Sequence, residues 1–302
     1  MKHSLRLQAT AARRRCTGES HQSLVGLIDG APLPIPCAAG TEQAELEASV
    51  FLRICRVGSM TPHPAGIVRV RPEPDCLSVR LVDEPYVVQY WAERILPVVH
   101  DAGLDPREGI TGVYGLRYRI TGSSVELYRP GSSALIRLEG FNRRWWELAA
   151  ARRRLTAKAT FDLPQWTGAE RLAVRLVQED NWEPAQLLSP LLRRIRATAS
   201  GGPCNNTSTW FNDVALRVET TFVPVCAEMT ALLCQGPTAL GWTVEREHCV
   251  CHLPAYKGSC IIEFSAPGQP PIHYSSLRWD SDDLSEEPGA RIAELNARAL
   301  RP

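Results

Sequence analysis

No run of apolar residues in this 302-residue chain approaches the ~18 that a membrane-spanning helix needs. A bilayer span is therefore not expected, and the opening stretch MKHSLRLQATAARRRC has no continuous hydrophobic segment to act as an export signal. Net charge is lacking too. The 34 lysines and arginines face 33 aspartates and glutamates, leaving a formal +1 and no global field to draw in nucleic acid or an anionic membrane. Lysine occurs only at positions 2, 158 and 257, a bias toward arginine that reads as genome composition. There is no Gly-x-Ser-x-Gly elbow, no His-Glu-x-x-His helix, no Gly-x-x-x-x-Gly-Lys loop and no Gly-x-Gly-x-x-Gly turn. Hydrolases, zinc proteases and nucleotide-binding proteins that depend on those motifs are excluded on that ground. No internal repeat or low-complexity tract is visible in the sequence.

Cysteine is what the chain does have. Six of its ten cysteines lie between Cys204 and Cys260, densest in HCVCHLPAYKGSC over 248–260. With no export signal the thiols are expected to stay reduced and available to a metal. Thiolate sulfur and imidazole nitrogen are the donors zinc prefers, four to a structural site. His248, Cys249, Cys251 and Cys260 form the nearest set, and Cys226 and Cys234 raise the candidates above the number of places. Zinc is the expected cofactor. In the competing reading Cys226 and Cys234 are small buried hydrophobes. The single residue between Cys249 and Cys251 is awkward, because in a strand both side chains point the same way with little bite. The acidic run Asp280, Asp282, Asp283, Glu286 and Glu287 reads as a solvated surface.

Residues 1–22 are polar and basic and read as a flexible arm. Strands are expected in SLVGLIDGAPLPIP (23–36), at 50–57, at 67–71 and 76–82, and in three successive runs with Gly-containing turns between 115 and 140. Helical spacing predicts helices over 85–103, with Pro97 as a stop or kink, over 142–155 and from 184, the last closing in Gly-Gly. KATFDLPQWTGAERLAVRLVQE reads as two strand-like runs, and 289–300 as a short amphipathic helix. The helix over 142–155 carries Arg143, Arg144, Arg152, Arg153 and Arg154 beside Trp145 and Trp146, the basic and aromatic patch that would meet nucleic acid. A half-buried helix with its tryptophans in the core is the favoured reading, so nucleic acid is not an expected partner.

The stretch ETTFVPVCAEMTALLCQGPTALGWTVEREHCVCHLPAYKGSC resembles the His-Cys-x-Cys and Ser-x-Cys core of the adenoviral early-region-four thirty-four-kilodalton proteins. QSLVGLIDGAPLPIP, FLRICRVGSMTPHPAGIVRVR, GLRYRITGSSVELYRPGSSALIRLEG and TGAERLAVRLVQE are similar to dUTPase segments as they occur in a dUTPase-derived protein of the same viral region. The resemblance implies an α+β chain, with a β-rich dUTPase-like domain over 23–183 and a helical linker over 184–202. A smaller mixed Cys/His-rich zinc module then covers 203–275, and an acidic tail with a short helix covers 276–302. It also implies a viral early regulatory protein of the host nucleus and cytoplasm that binds host proteins, ubiquitin-ligase components among them. A Leu-x-x-x-Cys adaptor box occurs only from Leu33 to Cys37 and breaks at Thr41. The dUTPase signature is degenerate: Gly131 precedes Ser132-Ser133 where an arginine is usual, and Arg171-Leu172-Ala173-Val174 replaces Arg-x-Ala-Gln. A non-enzymatic role is therefore expected. The rivals are a magnesium-dependent nucleotide hydrolase using Asp29 or Asp105 with Ser132, and a nucleic-acid binder using the helix over 142–155.

Overall fold

The computed structural model of the chain describes residues 2–25, 35–55, 61–100, 105–180, 184–199, 205, 207–212, 214–221, 226–250, 258–278 and 288–301. Residues 2–17, expected as a flexible arm, form a helix, α1 (Lys2–Thr17). Its C-terminal turns are buried because distant groups neutralise their charge. Arg13 pairs with Glu19 at 2.7 Å, and Arg15 reaches Glu228 at 2.6 Å and the carbonyls of Arg196 and Ala199 at 2.7 Å each. After a short α2 (His21–Val25) comes α3 (Thr41–Ile54), which replaces the strand expected at 50–57. Most of α3 is buried around its whole circumference, so the run Val50-Phe51-Leu52 carries no helical period to set against its strand-like composition. The remainder of the expected strand at 23–36 lies mostly outside the described residues.

β1 (Ile67–Glu73), with one face partly exposed, and β2 (Cys76–Leu81), buried on both faces, form where strands are expected, joined by the Pro74-Asp75 turn. α4 (Pro85–Ile95) buries Val88, Trp91 and Ile95 and stops before Pro97, which cannot extend it. Short pieces follow: β3 (Val98–Val99), α5 (Pro106–Gly109) and β4 (Ile110–Thr111). The three expected runs are β5 (Arg117–Thr121), β6 (Ser124–Tyr128) and β7 (Leu135–Glu139). α6 (Arg143–Thr156) agrees with its helical spacing and leads to β8 (Lys158–Ala159). The second strand-like run is a helix, α7 (Gly168–Glu179), fixed by a capping box in which the Thr167 hydroxyl accepts from Glu170 N–H and the Glu170 carboxylate accepts from Thr167 N–H. α8 (Ala185–Leu192) and a 3₁₀ turn over Ile195–Thr198 close this half.

The second half holds β9 (Thr207–Asn212), β10 (Ala215–Thr221), α9 (Cys226–Cys234), β11 (Thr243–His248), β12 (Gly258–Ser265), β13 (Ile272–Arg278) and α10 (Pro288–Ala299). The fold is α+β, with two five-stranded mixed sheets of order β1-β2-β7-β6-β5 and β11-β12-β13-β10-β9. Both sheets are open. A dUTPase-type closed barrel is not formed, because β1 and β5 end at opposite edges of the first sheet rather than pairing. Hairpin signals specify neighbours along the chain but not closure, which is why the strands were legible and the barrel was not.

The two sheets share one topology. Each begins with an antiparallel hairpin, passes through a helix, and returns as a three-stranded meander whose last strand lies parallel to the second strand of the hairpin. This structural repeat has no counterpart in the residue pattern. One apolar core spans both sheets, from Cys16 and Phe51 through Trp91 and Trp146 to Ile262 and Tyr274.

Candidate metal centre

Strand parity decides which residues of the His/Cys segment face one another. In β12, Cys260, Ile262 and Phe264 point inward while Ile261 is exposed. His248 pairs with Ile261 across β11 and β12, so His248 shares the outer face and Cys249, the next residue, turns in beside Cys260. Cys226 opens α9 beneath the same face, fully buried. The sulfurs of Cys226, Cys249 and Cys260 all lie within 4.8 Å of one another. Thiolates bound tetrahedrally to zinc at about 2.3 Å sit about 3.8 Å apart, so this triangle contracts by an ångström or less to share a centre.

Two features would steady sulfurs bound to an ion. Val250 N–H donates to Cys260 Sγ at 3.4 Å, a second-sphere contact of the kind that steadies a metal-bound sulfur. Cys226 sits at the positive end of α9, where helical N–H groups stabilise negative sulfur. Cys226 and Cys260 are 0% and 1% exposed, which suits a closed structural site and leaves little room for substrate.

The structure brings together three of the six expected ligands. Cys234 is excluded: it ends α9, eight residues beyond Cys226 and therefore about 12 Å along the axis. Burial pushes its thiol up to about 11. His248 is exposed on β11, on the wrong face. Cys251 lies outside the described residues, as does the acidic run over 280–287.

The five arginines expected as one patch on α6 are divided. Trp146 is in the core, as the favoured reading requires. Arg143 and Arg144 are exposed at the start of the helix. Arg154 turns to Asp162 at 2.7 Å and Tyr118 at 3.2 Å, whereas Arg152 and Arg153 enter a separate cavity. The hydrolase residues are engaged elsewhere: the Asp105 carboxylate caps α5 and pairs with Arg107 at 2.8 Å, and the Ser132 hydroxyl donates to Glu42 at 2.7 Å. Asp29 lies outside the described residues. No helix among the described residues is long and apolar enough to cross a membrane. Comparison of the chain with protein-family models, with curated proteins and with solved structures finds no match in any of the three.

Proposed function

We propose that the chain is a non-catalytic docking protein whose second sheet is organised by a structural zinc ion held by Cys226, Cys249 and Cys260. The observation that carries this is the meeting of three sulfurs from three elements, two of them fully buried. Soft thiolate donors in a closed setting favour zinc over magnesium or calcium. The ion ties the end of β11 to β12 and α9. β11 is an edge strand whose residues Glu245, Arg246, Glu247 and His248 are all exposed, so the face it offers a partner is charged, and the bulge between Val244 and Arg246 discourages plain strand addition. Ile261 and Trp210, 45% and 40% exposed, add apolar surface to the second sheet. The resemblance of the segment to adenoviral early proteins supports a host partner, ubiquitin-ligase components among them.

Elemental analysis of chain purified without chelator tests the ion. One zinc per chain is expected, retained by Cys234→Ser and His248→Ala and lost by Cys249→Ser and Cys260→Ser. Equal zinc in all four variants, or none in the parent, overturns the site. Capture from host-cell extract tests docking: ubiquitin-ligase components bound by the parent and lost with the metal support it, and identical capture with and without zinc overturns it.

A further inference from the structure

A second site lies far from the cysteines in sequence, where the last turns of three helices converge. Arg53 lies in the last turn of α3, Arg94 in that of α4 and Arg153 in that of α6, with Arg152 just before it. With Arg107, His100 and, among the described residues, a single acid, Glu93, they line one cavity of about 550 Å³. Arginine in a last helical turn has an ordinary explanation, since it offsets the roughly half negative charge at each helix C-terminus. Arg153 shows that use directly: its Nε donates to the Leu96 carbonyl beyond the end of α4, at 3.3 Å.

The amounts do not balance. Arg107 is matched by Asp105 and Asp180, at 2.8 and 2.6 Å. Arg94, Arg152 and Arg153 bring three guanidinium groups to the cavity, and Glu93 is the one carboxylate among the described residues that line it. Among the described residues no carboxylate lies within ion-pair distance of Arg94, Arg152 or Arg153. Arg152 has only long contacts, 3.4 Å to Gln89 and 3.5 Å to the Arg298 carbonyl. Burial leaves the Arg153 guanidinium below its ordinary value, offset in part by the pull of Glu93 and reinforced to a smaller extent by the charge of Arg94. Like charges held together in a partly desolvated cavity raise the energy of the empty site, and a bound anion relieves it.

We infer that this cavity binds a small molecule carrying several adjacent phosphoryl groups, recognised through its phosphates. Guanidinium forks on three helices suit tetrahedral oxyanions, and the volume is ample for a chain of phosphates. The Thr111 hydroxyl accepts from Arg153 Nη2 at 2.6 Å and shares a 3.0 Å hydrogen bond with His100 Nε2, which holds the Arg153 fork at the cavity. Recognition centres on the phosphates because, among the described residues, no phenylalanine, tyrosine or tryptophan ring lines the cavity for a base to stack on. The concave shape and the burial of Trp146 separate it from an open nucleic-acid track.

Calorimetric titration of the whole chain with inorganic tripolyphosphate at low salt tests this. Saturable one-site binding is expected, weakened at least tenfold by Arg94→Gln and by Arg152→Gln and unchanged by Arg143→Gln, which lies on the same helix outside the cavity. Thermal unfolding verifies that each variant is folded, and Arg152→Lys, which keeps the charge, should recover part of the binding. ATP is expected to bind within a few-fold of tripolyphosphate. Absence of saturable binding, indifference to Arg94 and Arg152, ATP binding more than tenfold tighter, or a single-stranded oligonucleotide displacing tripolyphosphate through the same arginines would each overturn the assignment.

Discussion

Buried charges in this chain are tied to several elements at once. Glu47 and Arg193 are both fully buried and meet at 2.6 Å, while Arg193 also donates to the carbonyls of Pro36 and Glu73 and Glu47 accepts from Ser189 and Gln43. Such a knot adds little net stability over an apolar pair, but it restricts how α3 and α8 can pack, since any slip strands a charge. His63 is a different case and gives a pH dependence. Arg196 Nη1 donates to His63 Nδ1 at 2.8 Å, which requires that nitrogen to be unprotonated. Burial, and after it the Arg196 charge, lower the imidazole from 6.5 to about 4. The unfolded chain takes up a proton near 6.5 and the folded chain resists until about 4. This contribution is therefore complete above pH 6.5 and is lost as the pH falls toward 4. His63 is only half-buried, so solvent screening reduces the loss to roughly 1–2 kcal/mol. Urea unfolding at several pH values between 7 and 4 should show that extra loss in the parent and not in His63→Gln; parallel curves would refute it.

At the scale of elements, the end of α1 shows how one residue sets a direction. Gly18 has φ +73° and its N–H donates to the Arg14 carbonyl at 2.8 Å, the left-handed closure that glycine adopts most readily. A Cβ there would stand 2.5 Å from the Val68 carbonyl oxygen of β1. Gly18→Ala is expected to lose about 2–4 kcal/mol, from the backbone penalty together with forced separation of α1 and β1. An unchanged urea midpoint would show that α1 is not seated on that strand. Legibility follows the same physics. β1, β5, β7, α4 and α6 were readable because each keeps one face toward solvent and so retains its period, and the largely buried β2 and β6 because turn residues bound them. α3 was not, being buried on all sides. α7 was readable in principle, since Thr167-x-x-Glu170 is a capping box, but the alternation in Ala173-Val174-Arg175-Leu176 masked it. At the cysteine cluster the residue types were visible and the parity was not: only the β11–β12 register separates Cys249 from His248. The arginine cavity escaped the sequence because Arg53, Arg94 and Arg152 are up to 99 positions apart. Its one signal was a basic residue closing each of three helices, and for α3 that depended on seeing a helix there.

For the whole molecule, the duplicated topology raises the question of whether each sheet folds on its own. Several ties run between the halves. Arg15 of α1 meets Glu228 of α9, Arg194 donates to the Thr238 carbonyl at 2.9 Å, Asn205 N–H donates to the Thr61 carbonyl at 2.7 Å, and the apolar core runs through both sheets. Neither half buries its inner face alone, so the chain should unfold as one cooperative unit. Phe264→Ala tests this away from the cysteine sulfurs, because Phe264 is buried in β12 against Trp242 and Tyr274. Its loss should remove about 3–5 kcal/mol. Hydrogen exchange in rising denaturant would then show amides of β5–β7 losing protection in step with those of β10, β12 and β13, although the substitution touches only the second sheet. If β5–β7 kept the parent's protection while the second sheet opened, the repeat would mark two independent folding units, and the shared core would be a contact surface between them.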